Sequence, residues 1–457
     1  MKRFGTDGIR GDSSKFPFDG AALFAIGKSV AEVLGKKNAE ILIIRDTRES
    51  GERIQKALAK GIACAKNVPV FGGVMPTPAA AFLLKKGGYA AGVVISASHN
   101  PYNDNGIKIF NSKGSKLADS AEAKIEERVR KYLTASPEVP QGKTKFKEDS
   151  SLLKFYEDFI VKSFSGGSLR GKASKGKALK GKTIVVDCAN GAAYKSATET
   201  LKKLGAKVIA LNVKPDGKNI NKSCGALHPE LAAKTVKERK AFCGFAFDGD
   251  ADRLICVDEN GEIRDGDFFL AAMAKYLKAR GKLKNNVLVT TVMANLGLMQ
   301  AMQKAGIKTL LSKVGDRYVL EDMEKHKASL GGEQSGHFIF KDILGTGDGL
   351  LSAVQLLAAL NAENKSLSEF VSGVKKFPQV LVNKKVLRKT PLEDLPKSLE
   401  LVKKYEKELG AQGRILVRYS GTENLLRVMV EGSNKDIIKS MAESIIDSMD
   451  AEIKGKS

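Results

Sequence analysis

The sequence predicts an α/β fold of several domains, and three features carry that expectation. Short apolar runs rich in β-branched residues recur along the chain at Ile41 to Ile44, Gly92 to Ser96, Thr183 to Asp187 and Val287 to Thr291. Each leads into a loop of Gly, Asn, Asp or Ser and then a periodic helical segment, such as Leu201 to Leu204 or Leu296 to Met302. The runs are continuous instead of alternating, so their strands are expected to be buried on both faces under helices, with functional loops at the strand ends. Length is the third feature. At 457 residues the chain exceeds one ordinary core, and about three domains are expected, with four small ones equally admissible.

Punctuation along the chain divides these elements. Residues 134–150 combine two prolines with lysines and acids after a charged helix (Ala121 to Tyr132), and residues 163–182 are a run of Gly, Ser, Lys and Arg with little to bury. Both read as boundaries, the second as a solvated linker or a basic interaction loop. A third change falls near residues 364–378, after a long apolar helix (Gly349 to Leu360) that Asp348 can cap; a helix and a hairpin follow. The recurring strand-loop-helix pattern is compatible with duplicated domains of about a hundred residues.

Composition excludes several classes. Hydrophobic residues at 42% and charged residues at 28% are those of a globular chain, not a disordered or fibrous one. No stretch approaches the ~18 to 20 apolar residues of a bilayer span. Met1-Lys2-Arg3-Phe4-Gly5 lacks an apolar signal core, so a cytoplasmic protein without membrane contact is expected. Cys64, Cys188, Cys224, Cys243 and Cys256 show no C-x-x-C spacing, which points to reduced, mostly buried thiols. The formal charge of +24 favours anionic partners: nucleic acid held non-specifically, a steered phosphate ester, or simply solvated lysine faces. With no Trp and 6% aromatic residues, base-stacking platforms are few.

Two segments carry the sharpest chemistry. Asp248-Gly249-Asp250-Ala251-Asp252-Arg253 places three carboxylates within five residues between the apolar runs Phe242 to Phe247 and Leu254 to Val257. Converging carboxylates repel, and all-oxygen ligands with small spacers suit Mg²⁺. An EF-hand is excluded despite Glu259 at the twelfth place, because Arg253 stands where that loop needs glycine; a solvated acidic hairpin is the plainer alternative. In Ser96-Ala97-Ser98-His99-Asn100-Pro101, a strand-end hydroxyl lies beside an imidazole, with Lys108 downstream, the layout of an activated nucleophile or else of a loop hydrogen bond.

Three more segments are weaker alone. Arg418-Tyr419-Ser420-Gly421-Thr422-Glu423, with Arg427 on the return strand, is either a plain hairpin or an anion loop able to hold a phosphate. Gly331-Gly332-Glu333-Gln334-Ser335-Gly336-His337 suits hydroxyl recognition on a sugar, or is a surface turn. Gly5-Thr6-Asp7-Gly8-Ile9-Arg10-Gly11 is a tight turn or a place from which Arg10 reaches a phosphoryl group.

These five segments, in this order, resemble the α-D-phosphohexomutase superfamily over essentially the whole chain. The wording G-T-D-G-I-R-G, S-A-S-H-N-P-Y-N-D-N-G-I-K, T-V-M-A-N-L-G-L, V-G-D-R-Y-V-L, G-G-E-Q-S-G-H and R-V-M-V-E-G is most similar to the phosphoglucosamine mutase branch. The resemblance implies four domains around a central cleft: three similar mixed α/β sandwich domains and a smaller C-terminal α+β domain. These fall at residues 1–150, 151–256, 257–370 and 371–457, carrying in turn the phosphoserine, metal, sugar and phosphate loops. It also implies an isomerase that interconverts glucosamine 6-phosphate and glucosamine 1-phosphate through phosphoserine and a sugar 1,6-bisphosphate.

By the same resemblance Ser98 is the phosphorylated residue, and Asp248, Asp250 and Asp252 bind Mg²⁺ together with the Ser98 phosphoryl group. Lys108 is the acid/base candidate, and His99, Arg10 and Arg253 line the transfer site. Glu333 and Ser335 grip sugar hydroxyls with His337 beside them, and Arg418, Ser420, Gly421, Thr422 and Arg427 hold the unreacting phosphate. The implied partner is a phosphorylated hexosamine, without specific nucleic acid, on a monomer or homodimer. A phosphoglucomutase or phosphomannomutase is the alternative enzyme, and a catalytically silent basic RNA binder is the alternative from another class. Tyr419 and Asn424 stand where the family's phosphate loop has proline, and Ala251 where its metal loop more often has glycine.

Overall fold

The apolar runs form strands and the periodic segments helices, because each buries its hydrophobic face that way. The computed structural model describes residues 8–135, 142, 144–165, 178–420 and 424–455. It divides into two compact units, Met1–Met293 with Ile307–Ser372, and Ala294–Gly306 with Gly373–Ser457.

The first unit holds three mixed sheets. The first comprises β1 (Ile9–Asp12), β2 (Glu40–Arg45), β3 (Val68–Val74), β4 (Ala91–Ile95), β5 (Asp104–Asn111) and β6 (Lys147–Glu148), in the order β1-β5-β4-β2-β3-β6. The second comprises β7 (Thr183–Asp187), β8 (Lys207–Leu211), β9 (Cys243–Phe247), β10 (Leu254–Val257) and β11 (Ile263–Arg264), ordered β11-β10-β9-β7-β8. The third comprises β12 (Val287–Thr291), β13 (Lys308–Ser312), β14 (Leu330–Gly332) and β15 (Phe338–Phe340), ordered β13-β12-β14-β15.

One pattern underlies all three. A parallel trio is closed by a fourth, antiparallel strand, giving β3-β2-β4-β5, β8-β7-β9-β10 and β13-β12-β14-β15. Antiparallel neighbours need no crossover helix, so the third and fourth strands are joined by a short loop. Those three loops hold Ser98, the Asp248–Asp252 cluster and Glu333–His337. The three sharpest motifs therefore occupy one equivalent position in three copies of a four-stranded unit.

Local chemistry sets the details. Leu23, Ile26, Ile41, Ile43 and Leu58 are fully buried between the first sheet and its helices. The Asp348 carboxylate accepts from Leu351 N at 2.9 Å and starts the helix Gly349–Glu363, which runs three residues beyond Leu360 to a left-handed Asn364. At the end of the stretch 134–150, read from sequence as a boundary, Lys147–Glu148 form the edge strand β6, and Phe146 packs on Phe71 with ring centroids 4.1 Å apart. That strand pairs over two residues only.

The second unit contains β16 (Gln379–Lys385), β17 (Arg414–Tyr419) and β18 (Leu425–Glu431), antiparallel in the order β16-β18-β17. Beyond the expected helix and hairpin it has a further strand and the helix Lys435–Gly455, whose Ile438, Ile445 and Ile446 are buried with Leu426, Val428 and Val430. Asn295 caps the helix Leu296–Lys304 and donates to Phe377 O and Glu431 Oε1, while Glu431 pairs with Arg414 at 2.6 Å. No described helix is long and apolar enough to cross a membrane. All five cysteines are free, four of them buried and Cys64 exposed.

Candidate active site

The β4–β5 loop turns sharply at Ser98, which is buried and left-handed at φ 53°, a conformation that costs a residue with a Cβ. One side chain offsets that cost. Arg48, fully buried, donates from Nη2 to Ser98 O at 3.0 Å and Asn100 O at 2.8 Å, and from Nη1 to Asp104 O at 2.9 Å and to Pro101 O. Its Nε binds Asp46 at 2.9 Å, and Asp46 also accepts from Ser96 Oγ at 2.5 Å. Ser96 Oγ in turn accepts from Ser98 N at 3.0 Å, and Asn221 Nδ2 donates to Ser98 O at 2.8 Å. The hydroxyl is thus carried on a loop that Arg48, Ser96 and Asn221 hold through its backbone.

That hydroxyl points at the acidic cluster, 150 residues further along the chain: Ser98 Oγ donates to Asp248 Oδ2 at 2.6 Å. Asp248, Asp250 and Asp252 are buried, and one oxygen of each lies within 4.8 Å of the others. At that separation two carboxylates repel by about 3 kcal/mol at an effective dielectric of 20. Burial, and then the charges of Asp252 and Asp250, push Asp248 well above the usual carboxylate range. Asp252 is held well below it: burial opposes ionisation, but Lys108, His337 and Arg253 outweigh burial.

The donors in the cluster are unevenly shared among the carboxylate oxygens. Lys108 Nζ binds Asp250 Oδ2 at 2.8 Å and lies 3.7 Å from Asp252 Oδ2, and Thr77 Oγ1 donates to Asp250 Oδ2 at 2.5 Å. Asp250 Oδ1 and Asp252 Oδ1 are buried with no hydrogen-bond partner among the described residues. Orphaned carboxylate oxygens are costly unless a cation takes them, so the residues present fit a hard divalent ion with oxygen ligands. Ala251, between them, is left-handed at φ 58°, where glycine is at ease and alanine is strained. Glu259 is occupied elsewhere by the N–H and hydroxyl of Ser368, which removes it from the cluster.

The remaining candidates divide between the two units. His99 Nδ1 lies 3.5 Å from Ser98 Oγ; burial, then the charges of Arg253 and Arg10, lower its pKa to about 4, so the imidazole is neutral at pH 7. Arg10 stands on β1 opposite Gly106 of β5, and Arg253 N donates to Asp248 Oδ1 at 3.2 Å. Glu333 is buried and accepts from Gly315 N at 3.1 Å, whereas Ser335 is exposed. His337 is buried with Nδ1 3.7 Å from Asp252 Oδ2; burial lowers its pKa, but Asp252, Asp316 and Glu333 raise it to about 9. In the second unit Arg418 and Arg427 pair across β17 and β18, and burial followed by the Arg427 charge lowers the Arg418 pKa. Ser420 is buried beside them, and Gly421 and Thr422 lie outside the described residues, as do Thr6 and Asp7 and most of the basic stretch, 166–177.

Sequence reasoning missed Arg48, Asp46, Thr77, Asn221 and Asp316. Asp46 and Arg48 directly follow β2, and a charged pair at the end of a buried strand was the available signal.

A serine hydroxyl bonded to an acidic triad, beside a neutral imidazole and a buried lysine, suits carriage of a phosphoryl group between positions on a substrate. That places the chain in the class of phosphohexomutases, isomerases of sugar phosphates. Four family models match in chain order: phosphoglucomutase/phosphomannomutase α/β/α domain I over residues 1–136, domain II over 158–261, domain III over 265–377 and the C-terminal domain over 381–448. The chain belongs to the phosphoglucomutase/phosphomannomutase family. It is 45% identical to the phosphoglucosamine mutase of Syntrophobacter fumaroxidans, covering 98% of this chain and 99% of the relative. To that of Clostridium acetobutylicum it is 44% identical, covering 97% and 98%. A phosphoglucomutase/phosphomannomutase family protein from Burkholderia thailandensis shares the fold at TM-score 0.78 and 24% identity, over 99% of this chain and 98% of that one. An N-acetylphosphoglucosamine mutase from Aspergillus fumigatus, solved with GlcNAc-6P and magnesium, aligns at TM-score 0.63 and 16% identity, over 99% and 96%.

Proposed function

We propose that this protein is a phosphoglucosamine mutase, interconverting glucosamine 6-phosphate and glucosamine 1-phosphate through a phosphoserine at Ser98 and a 1,6-bisphosphate. The observation that carries the reading is the 2.6 Å bond between Ser98 Oγ and Asp248. The full-length phosphoglucosamine mutase relatives support the choice of sugar. In the forward direction the Ser98 phosphoryl group passes to the sugar 1-hydroxyl, forming a new O–P bond as the serine O–P bond breaks. The bisphosphate then turns around, and its 6-phosphoryl returns to Ser98.

Each residue has a task in that cycle. Lys108, held at Asp250 as an ammonium, gives a proton to the departing oxygen as its O–P bond breaks and recovers one from the attacking sugar hydroxyl. Arg10 and Arg253 offset charge on the phosphoryl oxygens, and Glu333 with Ser335 orients the sugar. Arg418, Ser420, Gly421, Thr422 and Arg427 receive the phosphate that is not reacting. Mg²⁺, when bound by Asp248, Asp250, Asp252 and the Ser98 phosphoryl group, supplies charge neutralisation of the transferring group. The protein works in the cytoplasm, as a monomer or homodimer.

Ser98→Ala should abolish turnover and remove the single phosphate from the intact mass. Near-normal activity in that variant refutes the assignment. Comparing kcat/KM for glucosamine, glucose and mannose phosphates tests the sugar, and a tenfold or larger preference for glucose or mannose overturns the amino-sugar choice.

A further inference from the structure

Five side chains alternate in charge along one row in the first unit. Lys108 Nζ and His337 Nδ1 each lie 3.7 Å from Asp252 Oδ2, His337 Nε2 lies 3.7 Å from Asp316 Oδ2, and Lys116 Nζ binds that same Asp316 oxygen at 2.6 Å. Both ends of the row belong to one hairpin: Lys108 is in β5, and Lys116 returns to it through a bridge with Phe110. Between these ends the row passes through the second repeat at Asp252 and the third at His337 and Asp316. Lys108 and His337 are almost fully buried, while Lys116 and Asp316 are each 23% exposed.

The row decides how Asp252 is presented. Lys108 and His337 converge on Oδ2, which leaves the buried Oδ1 as the oxygen without a hydrogen-bond partner among the described residues. The imidazole stands between the two carboxylates, Nδ1 facing Asp252 and Nε2 facing Asp316, and Nε2 is buried with no hydrogen-bond partner among the described residues. We propose that Asp316 and Lys116 are positioning residues for the cation site: their pair holds His337 against Asp252 Oδ2, which keeps Oδ1 turned toward a divalent ion. This rests on the reading of the three aspartates as the cation site. Losing Asp316 frees the ring, and the effect then falls on cation affinity more than on sugar binding.

A plain ion pair between neighbouring domains is the competing account, and the molecule contains the control for it. Arg317 Nη1 binds Asp119 Oδ1 at 2.8 Å, tying the same two segments together without joining the row. The probe is Mn²⁺, titrated into the full chain and followed by electron paramagnetic resonance, alongside steady-state kinetics with the sugar phosphate. Asp316→Asn should weaken Mn²⁺ about three- to tenfold, less than the roughly 10- to 100-fold for a group bonded directly to a metal ligand. Its kcat should fall while KM for the sugar phosphate changes less than about twofold.

Lys116→Met, at the partly exposed end, should act in the same direction and serves if Asp316→Asn does not fold. Arg317→Met should leave Mn²⁺ affinity within about twofold of wild type. The swap K116D/D316K keeps an ion pair between the segments but turns a cation on His337, so it should stay as weak as Asp316→Asn. Wild-type Mn²⁺ affinity in both Asp316→Asn and Lys116→Met, equal weakening in Arg317→Met, or recovery in the swap each overturns the inference. Activity in Ser98→Ala would instead sink the mutase reading, and direct Mn²⁺ binding keeps the two failures apart.

Discussion

Replacing Arg48 by methionine removes the one buried cation that carries the Ser98 loop. The loss can be sized from its contacts. Asp46 would stay buried without its partner, and its carboxyl is already raised by burial even with Arg48 beside it. Breaking a buried pair by deleting one member costs about 3–5 kcal/mol. The carbonyls of Ser98, Asn100, Pro101 and Asp104 also lose a charged donor, at about 1.5–3 kcal/mol each where water cannot replace it. Ser98 O and Asn100 O keep Asn221, and the bonds to Asn100, Pro101 and Asp104 are only part-buried, so about 5 kcal/mol is the expected total.

That loss rivals the roughly 5–15 kcal/mol that hold a typical domain together. Urea unfolding should show it, and hydrogen exchange should show amides 96–104 losing protection before the rest of the first sheet. Arg48→Lys should fail as well, because a lysine head has no planar fork to reach several carbonyls at once. Adding Asp46→Asn to the methionine variant should recover part of the stability by removing the stranded charge. A methionine variant within about 1 kcal/mol of wild type, with the loop still protected, would refute the reasoning.

Two further perturbations test other parts of the fold. Burial raises the Asp348 carboxyl to about 7, while Tyr156 Oη donates to it at 2.8 Å. The folded chain then keeps a proton that the unfolded chain loses near pH 4, so this group's contribution falls as pH rises from about 4 to 7, by roughly 1.4 kcal/mol per unit. Asp348→Asn, which still caps the helix, should remove that slope; a stability difference between the two proteins that is flat across this range disproves it. Gly336 has φ +94°, and a Cβ there would lie 2.4 Å from Leu254 O, so Gly336→Ala should cost about 2–4 kcal/mol. Gly345, with open space around it, is the comparison, and equal thermal shifts in the two alanine variants count against the packing argument.

Much of the site was legible as local pattern. Asp248, Asp250 and Asp252 fall in a tight turn between two apolar runs, which form the paired strands β9 and β10. The order of apolar run, loop and periodic segment announced α/β domains, because burial on two faces demands continuous apolar strands. The edge strand β6 was not legible, since two paired residues leave no periodicity to read.

What the sequence alone determined was therefore whatever depends on neighbours within a few residues: strands, helices, the helix cap at Asp348, and the presence of a strand-end hydroxyl, three carboxylates and a glycine-flanked loop at Glu333–His337. Only the tertiary structure decided that three such loops sit at one equivalent place in three repeats, that Arg48 carries Ser98, and that Lys116 reaches Asp252 through Asp316 and His337. The reason is physical. Secondary structure follows the period of apolar residues along the chain, but an ion pair or a metal site follows distance through space. The 150 residues between Ser98 and Asp248 carry no local signal that their side chains meet at 2.6 Å.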